Sequence, residues 1–156
     1  MTTIESISAE LATAVESCLP RWVVRSVEDL CIAYHGHCSE QIRADAEAAG
    51  RQAADDVMPA MHALLAADID EQRTNPLAIV RRAVVHPTAV LRAAGVPPVV
   101  RDEFAEGNFP DDVYDLSPAS FADIDPELHE PGLRWGAAKA HTHLRRRRQN
   151  ASEETP

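Results

Sequence analysis

The stretch SEQIRADAEAAGRQAADDVMPAMHAL, residues 39–64, decides the fold. Apolar and small residues recur along it every three or four positions, which is the spacing of one face of a helix. That face comprises Ile42, Ala46, Ala49, Ala53, Val57, Ala60 or Met61, and Leu64. Because most of these residues are small, a neighbouring helix can approach closely. Ser39 is a candidate N-cap, and Pro59 predicts a kink because proline lacks an N–H and crowds the preceding turn.

The residues before this stretch predict two further helices. One has Ile4, Ile7, Leu11, Val15 and Cys18 on a single face, and the other has Trp22, Val23, Val27, Leu30, Cys31 and Tyr34. Pro20 is expected to separate the two helices. Gly36 is expected to end the second, because glycine readily adopts left-handed backbone angles. The N-terminal part is therefore predicted to be a bundle of three helices.

Residues 75–95 predict shorter helical pieces. Asn75 followed by Pro76 combines a capping side chain with a proline at the first helical position. Leu77, Val80 and Val84 would form the buried face of this helix. His86–Pro87 is expected to break it, since the residue before a proline avoids helical angles. One or two further turns would then end at Gly95.

The C-terminal part combines an irregular segment with a last helix. Residues 96–125 hold four prolines and four of the seven aromatic residues, which favours a packed irregular segment over a flexible linker. Ser117–Pro118 and Asp125–Pro126 each predict the start of a short helix. The chain is thus predicted to be one all-α domain over 1–148: long helices over 1–68, helical turns over 75–95, the irregular packed segment over 96–125, a C-terminal helix over 126–148, and a disordered tail over 149–156.

Composition restricts the function. The 156 residues carry 15 basic and 25 acidic side chains, for a formal net charge of -10, which disfavours nucleic acid as the main partner. No apolar run approaches the ~20 residues that span a bilayer, and no secretory signal is visible, so we expect a cytoplasmic protein. Three cysteines without an export signal predict reduced thiols. Abundant alanine and arginine with one lysine, Lys139, indicate a GC-rich bacterial genome.

The charge is divided into blocks along the chain. The net charge is -9 over 1–72, +5 over 73–101, -10 over 102–130 and +6 over 131–150. Blocks of opposite sign can face each other within the fold, pair two copies of the chain, or hold a charged partner. Internal neutralisation is the favoured interpretation, and it would set orientation more than stability, because exposed ion pairs contribute only ~0–1 kcal/mol each.

The densest group of reactive side chains is Cys31, His35, His37 and Cys38. Cys31 and His35 are four residues apart and share a helix face, and two thiolates with two imidazoles suit zinc. The spacing is irregular for a zinc site, and a buried Cys31 with surface histidines beside a capping turn is the simpler interpretation. Cys38 alone could be a reactive thiol, because it lies near a helix start, where the dipole favours the thiolate, but an unreactive cysteine at a helix end is the simpler interpretation.

A second candidate is a set of aromatic and acidic residues that a partner could contact: Phe109, Asp111, Asp112, Tyr114, Asp115 and Phe121. For each aromatic member taken singly, a core anchor is the simpler interpretation. The basic run Arg145, Arg146, Arg147 and Arg148 could contact a partner or a few phosphates, although its place at a helix C-terminus is favourable by itself. Without interleaved aromatics it is a weak nucleic-acid signal.

Three stretches resemble a family of actinobacterial helical proteins to which no activity is attached. They are NPLAIVRRAVVHPTAVLRAAGVPPVVRD at 75–102, FPDDVYDLSPASFAD at 109–123, and WGAAKA at 135–140. The resemblance covers roughly residues 75–146 and implies a soluble bacterial protein. It transfers no catalytic residue.

The sequence lacks the glycine-rich phosphate loop and the nucleophile-elbow motif of common enzymes. We therefore expect a non-enzymatic protein-interaction or regulatory module with no cofactor, acting through a protein partner or self-association. The alternative is a small zinc-binding or thiol-dependent protein that uses Cys31, His35, His37 and Cys38.

Overall fold

The computed structural model describes residues 4–66, 75–99 and 112–154, and all of its regular structure is helical, with no strand in these ranges. The α-helices are α1 (Ile4–His35), α2 (Glu40–Ala66), α3 (Pro76–Val80), α4 (Val85–Ala93), α5 (Phe121–Ile124) and α6 (His129–Glu154), and two 3-10 turns cover Arg81–Val84 and Pro126–Leu128. The predicted all-α class is confirmed. Within the described ranges, no helix has the length and apolar character to cross a membrane.

The prediction that Pro20 separates two helices is wrong. A single helix of 32 residues runs from Ile4 to His35 with Pro20 inside it. A proline in a helix interior costs about 3 kcal/mol, because it removes one hydrogen bond and crowds the preceding turn. Here Leu19 and Val23, on either side of the proline, are fully buried, so packing along both halves of α1 offsets that cost. The three predicted N-terminal helices are therefore two.

The small-residue face predicted for α2 lies against α1. Its buried residues are Ala46, Ala49, Gly50, Ala53, Ala54, Val57, Met58 and Met61. A Cβ atom placed on Gly50 would lie 2.9 Å from the carbonyl oxygen of Pro20 and 3.0 Å from its Cα. The two backbones thus meet at Pro20 and Gly50, and only a residue without a side chain fits between them. α2 also continues through Pro59 to Ala66.

The turn between the two long helices forms as its residues predict. Gly36 has a φ of 83° and donates its N–H to the Ile32 carbonyl, which ends α1. The Ser39 hydroxyl accepts the N–H of Ile42 at 3.2 Å, which caps α2. Both termini therefore satisfy backbone groups that a helix end leaves unpaired.

The buried side chains form two clusters along α1. The first core cluster surrounds the first two thirds of α1 and includes Leu11, Val15, Cys18, Leu19, Trp22, Val57, Met61, Leu77, Val80, Ile124, Leu128 and Trp135. The second core cluster surrounds its last turns and comprises Val27, Cys31, Ala46, Leu91, Val96 and Tyr114. α6 therefore packs against the first part of α1, while α4 packs against α2 and the later turns of α1.

α3 begins as predicted, since the Asn75 side chain accepts the N–H of Leu77 at 2.9 Å and Pro76 is the first helical residue. The predicted break at His86–Pro87 is wrong. The α-helical pattern is instead interrupted one turn earlier, by the 3-10 turn, and Pro87 lies in the first turn of α4. A proline is tolerated there because the first N–H groups of a helix have no partner within it. Gly95, with a φ of 77°, ends α4 as predicted.

The described parts of the predicted irregular segment are 96–99 and 112–125, and within them only α5 (Phe121–Ile124) is regular. α5 begins after Ser120 rather than at Ser117–Pro118, because Ser120 and Asp123 form a capping box. Asp125–Pro126 opens a 3-10 turn as predicted. α6 continues past Arg148 to Glu154, which corrects the predicted disordered tail at those positions. Residues 149–154 hold no proline or glycine to end the helix.

Replacing Gly50 by alanine is expected to destabilise the fold by about 1–3 kcal/mol, because the added methyl group meets the backbone of Pro20. Gly136→Ala is the matched control, since it lies in α6 with no atom within 4 Å of the added Cβ. It should be neutral or stabilising by up to ~1 kcal/mol, the helix preference of alanine over glycine. Urea unfolding followed by circular dichroism measures both. Equal stabilisation by the two substitutions would contradict the close approach.

Candidate functional site

The four predicted metal ligands lie at the turn between α1 and α2, but their donor atoms are not brought together. Nε2 of His35 lies 3.0 Å from the Ala94 carbonyl oxygen, and Nδ1 of His37 lies 3.2 Å from the carbonyl oxygen of His35. The two ring centroids are 6.5 Å apart. Each imidazole is thus held by a backbone carbonyl, and in this conformation the four side chains do not form one ligand set.

The two thiols at this turn do interact. Cys31 is fully buried in the second core cluster, and the half-buried Cys38 packs against the same cluster. Burial raises the pKa of the Cys31 thiol, and the charge of Cys38 and a side-chain hydrogen bond with it raise the pKa further. The turn therefore holds a pair of neighbouring thiols rather than a four-ligand site.

The predicted partner-binding residues that the structure describes are mostly internal. Tyr114 is 2% exposed and its hydroxyl donates to the Val96 carbonyl at 2.5 Å. The buried Asp112 carboxylate accepts the N–H groups of Leu116 and Ser117. Both residues organise their own segment, so the prediction that they contact a partner is corrected.

Of the remaining predicted contact residues, Asp115 is exposed and has a φ of 55°. Phe121 is half-buried, and its ring lies against Gly132, where an added Cβ would be 2.4 Å from a ring carbon. Phe109 and Asp111 lie outside the described residues, as do the side chains of Arg145, Arg146, Arg147 and Arg148. Of these two residues only Phe121 is aromatic, and its ring packs against Gly132.

A polar cluster that the sequence did not predict joins α1 to the 3-10 turn before α6. Arg21 donates to Glu127 Oε2 at 2.8 Å and to the Cys18 sulfur at 3.2 Å. Asp125 lies 3.8 Å from both Arg21 and Arg25. Arg25 also donates to the Ile124 carbonyl. The one available signal was that Cys18, Arg21 and Arg25 lie at helical spacing, while their acidic partners lie a hundred or more residues away.

The donor atoms of Cys18, Asp125 and Glu127 lie within 4.8 Å of one another, a separation that one metal ion could bridge. The guanidinium of Arg21 already lies among them and supplies positive charge to both carboxylates. Burial raises the pKa of the Cys18 thiol, and the hydrogen bond from Arg21 opposes that rise only in part. The arrangement is thus a guanidinium-centred ion cluster with a neutral thiol at its inner edge.

The same arginines line an open cleft of about 540 Å³ on the surface formed by α1 and α2. We call it the arginine cleft, and it is lined by Pro20, Arg21, Val24, Arg25, Glu28, Glu47 and Arg51. Pro20 and Val24 are half-buried and form its apolar floor, while the charged residues form its rim. Its volume lies within the range of ligand-binding pockets, roughly 300–1,000 Å³.

Comparisons with protein-family models, curated proteins and solved structures found no match to this chain. The resemblance of residues 75–146 to actinobacterial helical proteins therefore stays a prediction.

Removing the Asp125 carboxylate is expected to destabilise the protein by about 1–3 kcal/mol, because Asp125 caps the 3-10 turn through the Glu127 N–H and faces two arginines. Asp125→Ala measures this loss by urea unfolding. The control is Glu127→Gln, which removes a largely exposed ion pair and should cost less than about 1 kcal/mol. A larger loss for Glu127→Gln than for Asp125→Ala would contradict this account.

Stability is expected to fall as the pH rises above about 9. Burial is the main cause that raises the pKa of Cys18 and Cys31 above the ordinary value of 9.0, and that of Tyr114 above 10.0. The unfolded chain therefore releases these protons first, so stability that is complete below pH 9 is lost as the pH rises through the raised values. Urea unfolding under reducing conditions between pH 8 and 11 measures the slope, which Cys18→Ala should reduce.

Proposed function

We propose that this chain is a non-enzymatic protein-interaction module that docks an acidic segment of a protein partner in the arginine cleft. The observation that carries the proposal is the cleft itself, an apolar floor of Pro20 and Val24 surrounded by charged side chains. A dry centre with a polar rim is the usual anatomy of a protein–protein interface. Arginine is among the residues that contribute most to binding at such interfaces.

The cleft is held in shape before any partner binds. Arg21 is fixed by Glu127, and Arg25 by the Ile124 carbonyl and Asp125. Glu28, which also lines the cleft, accepts from Arg43 at 2.7 Å. Because these side chains are already ordered, binding costs less conformational entropy than ordering a flexible surface would.

Arg51 supports an acidic segment as the occupant. It is exposed on the rim and forms no ion pair with a residue in the described part of the chain. The other two arginines of the cleft are neutralised by Asp125 and Glu127. A carboxylate of the partner can therefore pair with Arg51 without displacing an internal contact, while an apolar neighbour of that carboxylate covers Val24.

The earlier expectation of a partner thus shifts from the aromatic and acidic segment to the α1–α2 surface, and Phe109, Asp111 and Arg145–Arg148 stay predictions. A cytoplasmic location belongs to the same proposal. It is supported by three cysteines that are all free, since disulfides are rare in reducing compartments.

The test begins with a photo-reactive amino acid placed at Glu47, on the cleft rim, and at Arg82, an exposed position outside the cleft. Irradiation in cells is expected to give a discrete adduct from position 47 that is absent from position 82. The cross-linked protein is then purified and its affinity for the unmodified chain is measured.

Arg51→Glu should weaken that affinity about tenfold and reduce its dependence on salt, because one charge pair of the interface is reversed. Arg82→Glu makes the same change of charge outside the cleft and should leave the affinity unchanged. Adducts of equal yield at both positions, or equal losses for both variants, would refute the arginine cleft as the docking site.

A further inference from the structure

The turn between α1 and α2 carries two thiols that differ in their access to solvent. Cys31 lies in the last turns of α1 and is fully buried. Cys38 lies two residues before the start of α2 and is half-buried, so part of its side chain meets solvent. A reagent in solution can therefore reach Cys38 but not Cys31.

The fold places these two side chains in one small core cluster. Cys31 is a buried member of the second core cluster and Cys38 packs against that cluster, close enough to Cys31 to raise the pKa of its thiol further. Gly36, at a φ of 83°, turns the chain back between them. Cys18 lies in the first core cluster, at the ion cluster of Arg21 and Glu127, and is thus separated from this pair.

We propose that Cys31 and Cys38 form a disulfide when the protein meets a peroxide, with Cys38 as the thiol that is oxidised first and Cys31 as the thiol that resolves it. A disulfide needs two sulfurs that can come into bonding distance without moving the backbone far. A solvent-accessible thiol next to a resolving cysteine is the usual arrangement of a redox-sensitive site. The inference is independent of the arginine cleft and of any partner.

The reaction balances in two steps. The Cys38 thiolate attacks one peroxide oxygen, the O–O bond breaks, and hydroxide leaves, giving a sulfenic acid at Cys38. Cys31 then gives up its proton and attacks the Cys38 sulfur, so that the S–O bond breaks, the S–S bond forms, and a second hydroxide leaves. The two thiol protons convert both hydroxides to water. The thiols lose two electrons, which the peroxide accepts.

The new bond would tie the end of α1 covalently to the start of α2. It would span the last turn of α1 and the connection to α2, and reduction by a dithiol reagent would restore the two thiols. Glu28, on the arginine cleft, lies one helical turn before Cys31. A disulfide at Cys31 would therefore lie one helical turn from the arginine cleft.

The test treats the folded, reduced full-length chain with hydrogen peroxide, removes the oxidant, unfolds the protein and alkylates it with N-ethylmaleimide. The untreated chain should take up three maleimides, one for each cysteine. The oxidised chain should take up one, at Cys18. Trypsin releases Cys31 and Cys38 together in the peptide 26–43, since no Lys or Arg lies between Arg25 and Arg43. That peptide should weigh two hydrogens less than its reduced form and carry no maleimide.

Two variants complete the test. Cys18→Ala should form the same disulfide to the same extent, and Cys38→Ser, a nearly isosteric change at a partly exposed position, should keep Cys31 reduced under the same treatment. The proposal is overturned if the oxidised wild type still takes up three maleimides, if Cys38 gains only oxygen atoms, or if the disulfide joins Cys18 or a second chain.

Discussion

The close approach of α1 and α2 at Pro20 and Gly50 is the constraint on which the rest of the structure depends. A Cβ at Gly50 would meet the backbone of Pro20 at 2.9–3.0 Å, so the helices are in contact through their main chains at this point. Such contact needs the small-residue face of α2, because larger side chains at Ala46, Ala49 and Ala53 would force the helices apart.

This approach places the functional surface. Arg21 and Arg25 follow Pro20 on α1, and Arg51 follows Gly50 on α2. Because the two helices lie close together at Pro20 and Gly50, these three arginines line one cleft. The acidic residues that fix Arg21 and Arg25 come from the turn before α6, so packing of α6 on α1 and the shape of the cleft are coupled. Further along, Arg134 of α6, in the block with a net charge of +6, pairs with Glu10 of α1, in the block with a net charge of -9.

Local signals in the sequence predict the helix ends well and the helix interiors less well. Gly36, Ser39, Asn75 and Gly95 each act through groups within a few residues of themselves, so their roles follow from the sequence. The effect of Pro20 depends on contacts with residues that are distant in the sequence. A proline at this position lowers the stability of the helix locally, but the buried residues on both sides of it pack against helices that are distant in the sequence. That packing keeps α1 continuous.

The candidate site also combines features that local sequence signals predict with features that depend on distant contacts. Cys31 and Cys38 are seven residues apart, meet in one core cluster and belong to the group that the sequence singles out, whereas His35 contacts the carbonyl of Ala94, 59 residues away, which no spacing rule gives. Tyr114 and Asp112 belong to a segment whose aromatic and acidic residues are typical of a binding surface. In the structure, however, Tyr114 is buried against Val96 and Asp112 caps its own loop. Arg21 meets Glu127 across 106 residues, so only the assembled helices reveal that ion cluster.

The three thiols of the chain show how packing assigns chemistry to one residue type. Cys18 is buried beside a guanidinium and two carboxylates, and burial outweighs the arginine in keeping it protonated. Cys31 is equally buried, but Cys38 packs against the same core cluster. Cys38 alone reaches solvent. Because oxidation requires both access for the reagent and a partner sulfur, the turn between α1 and α2 meets both conditions, while Cys18, at the other end of the core, meets neither.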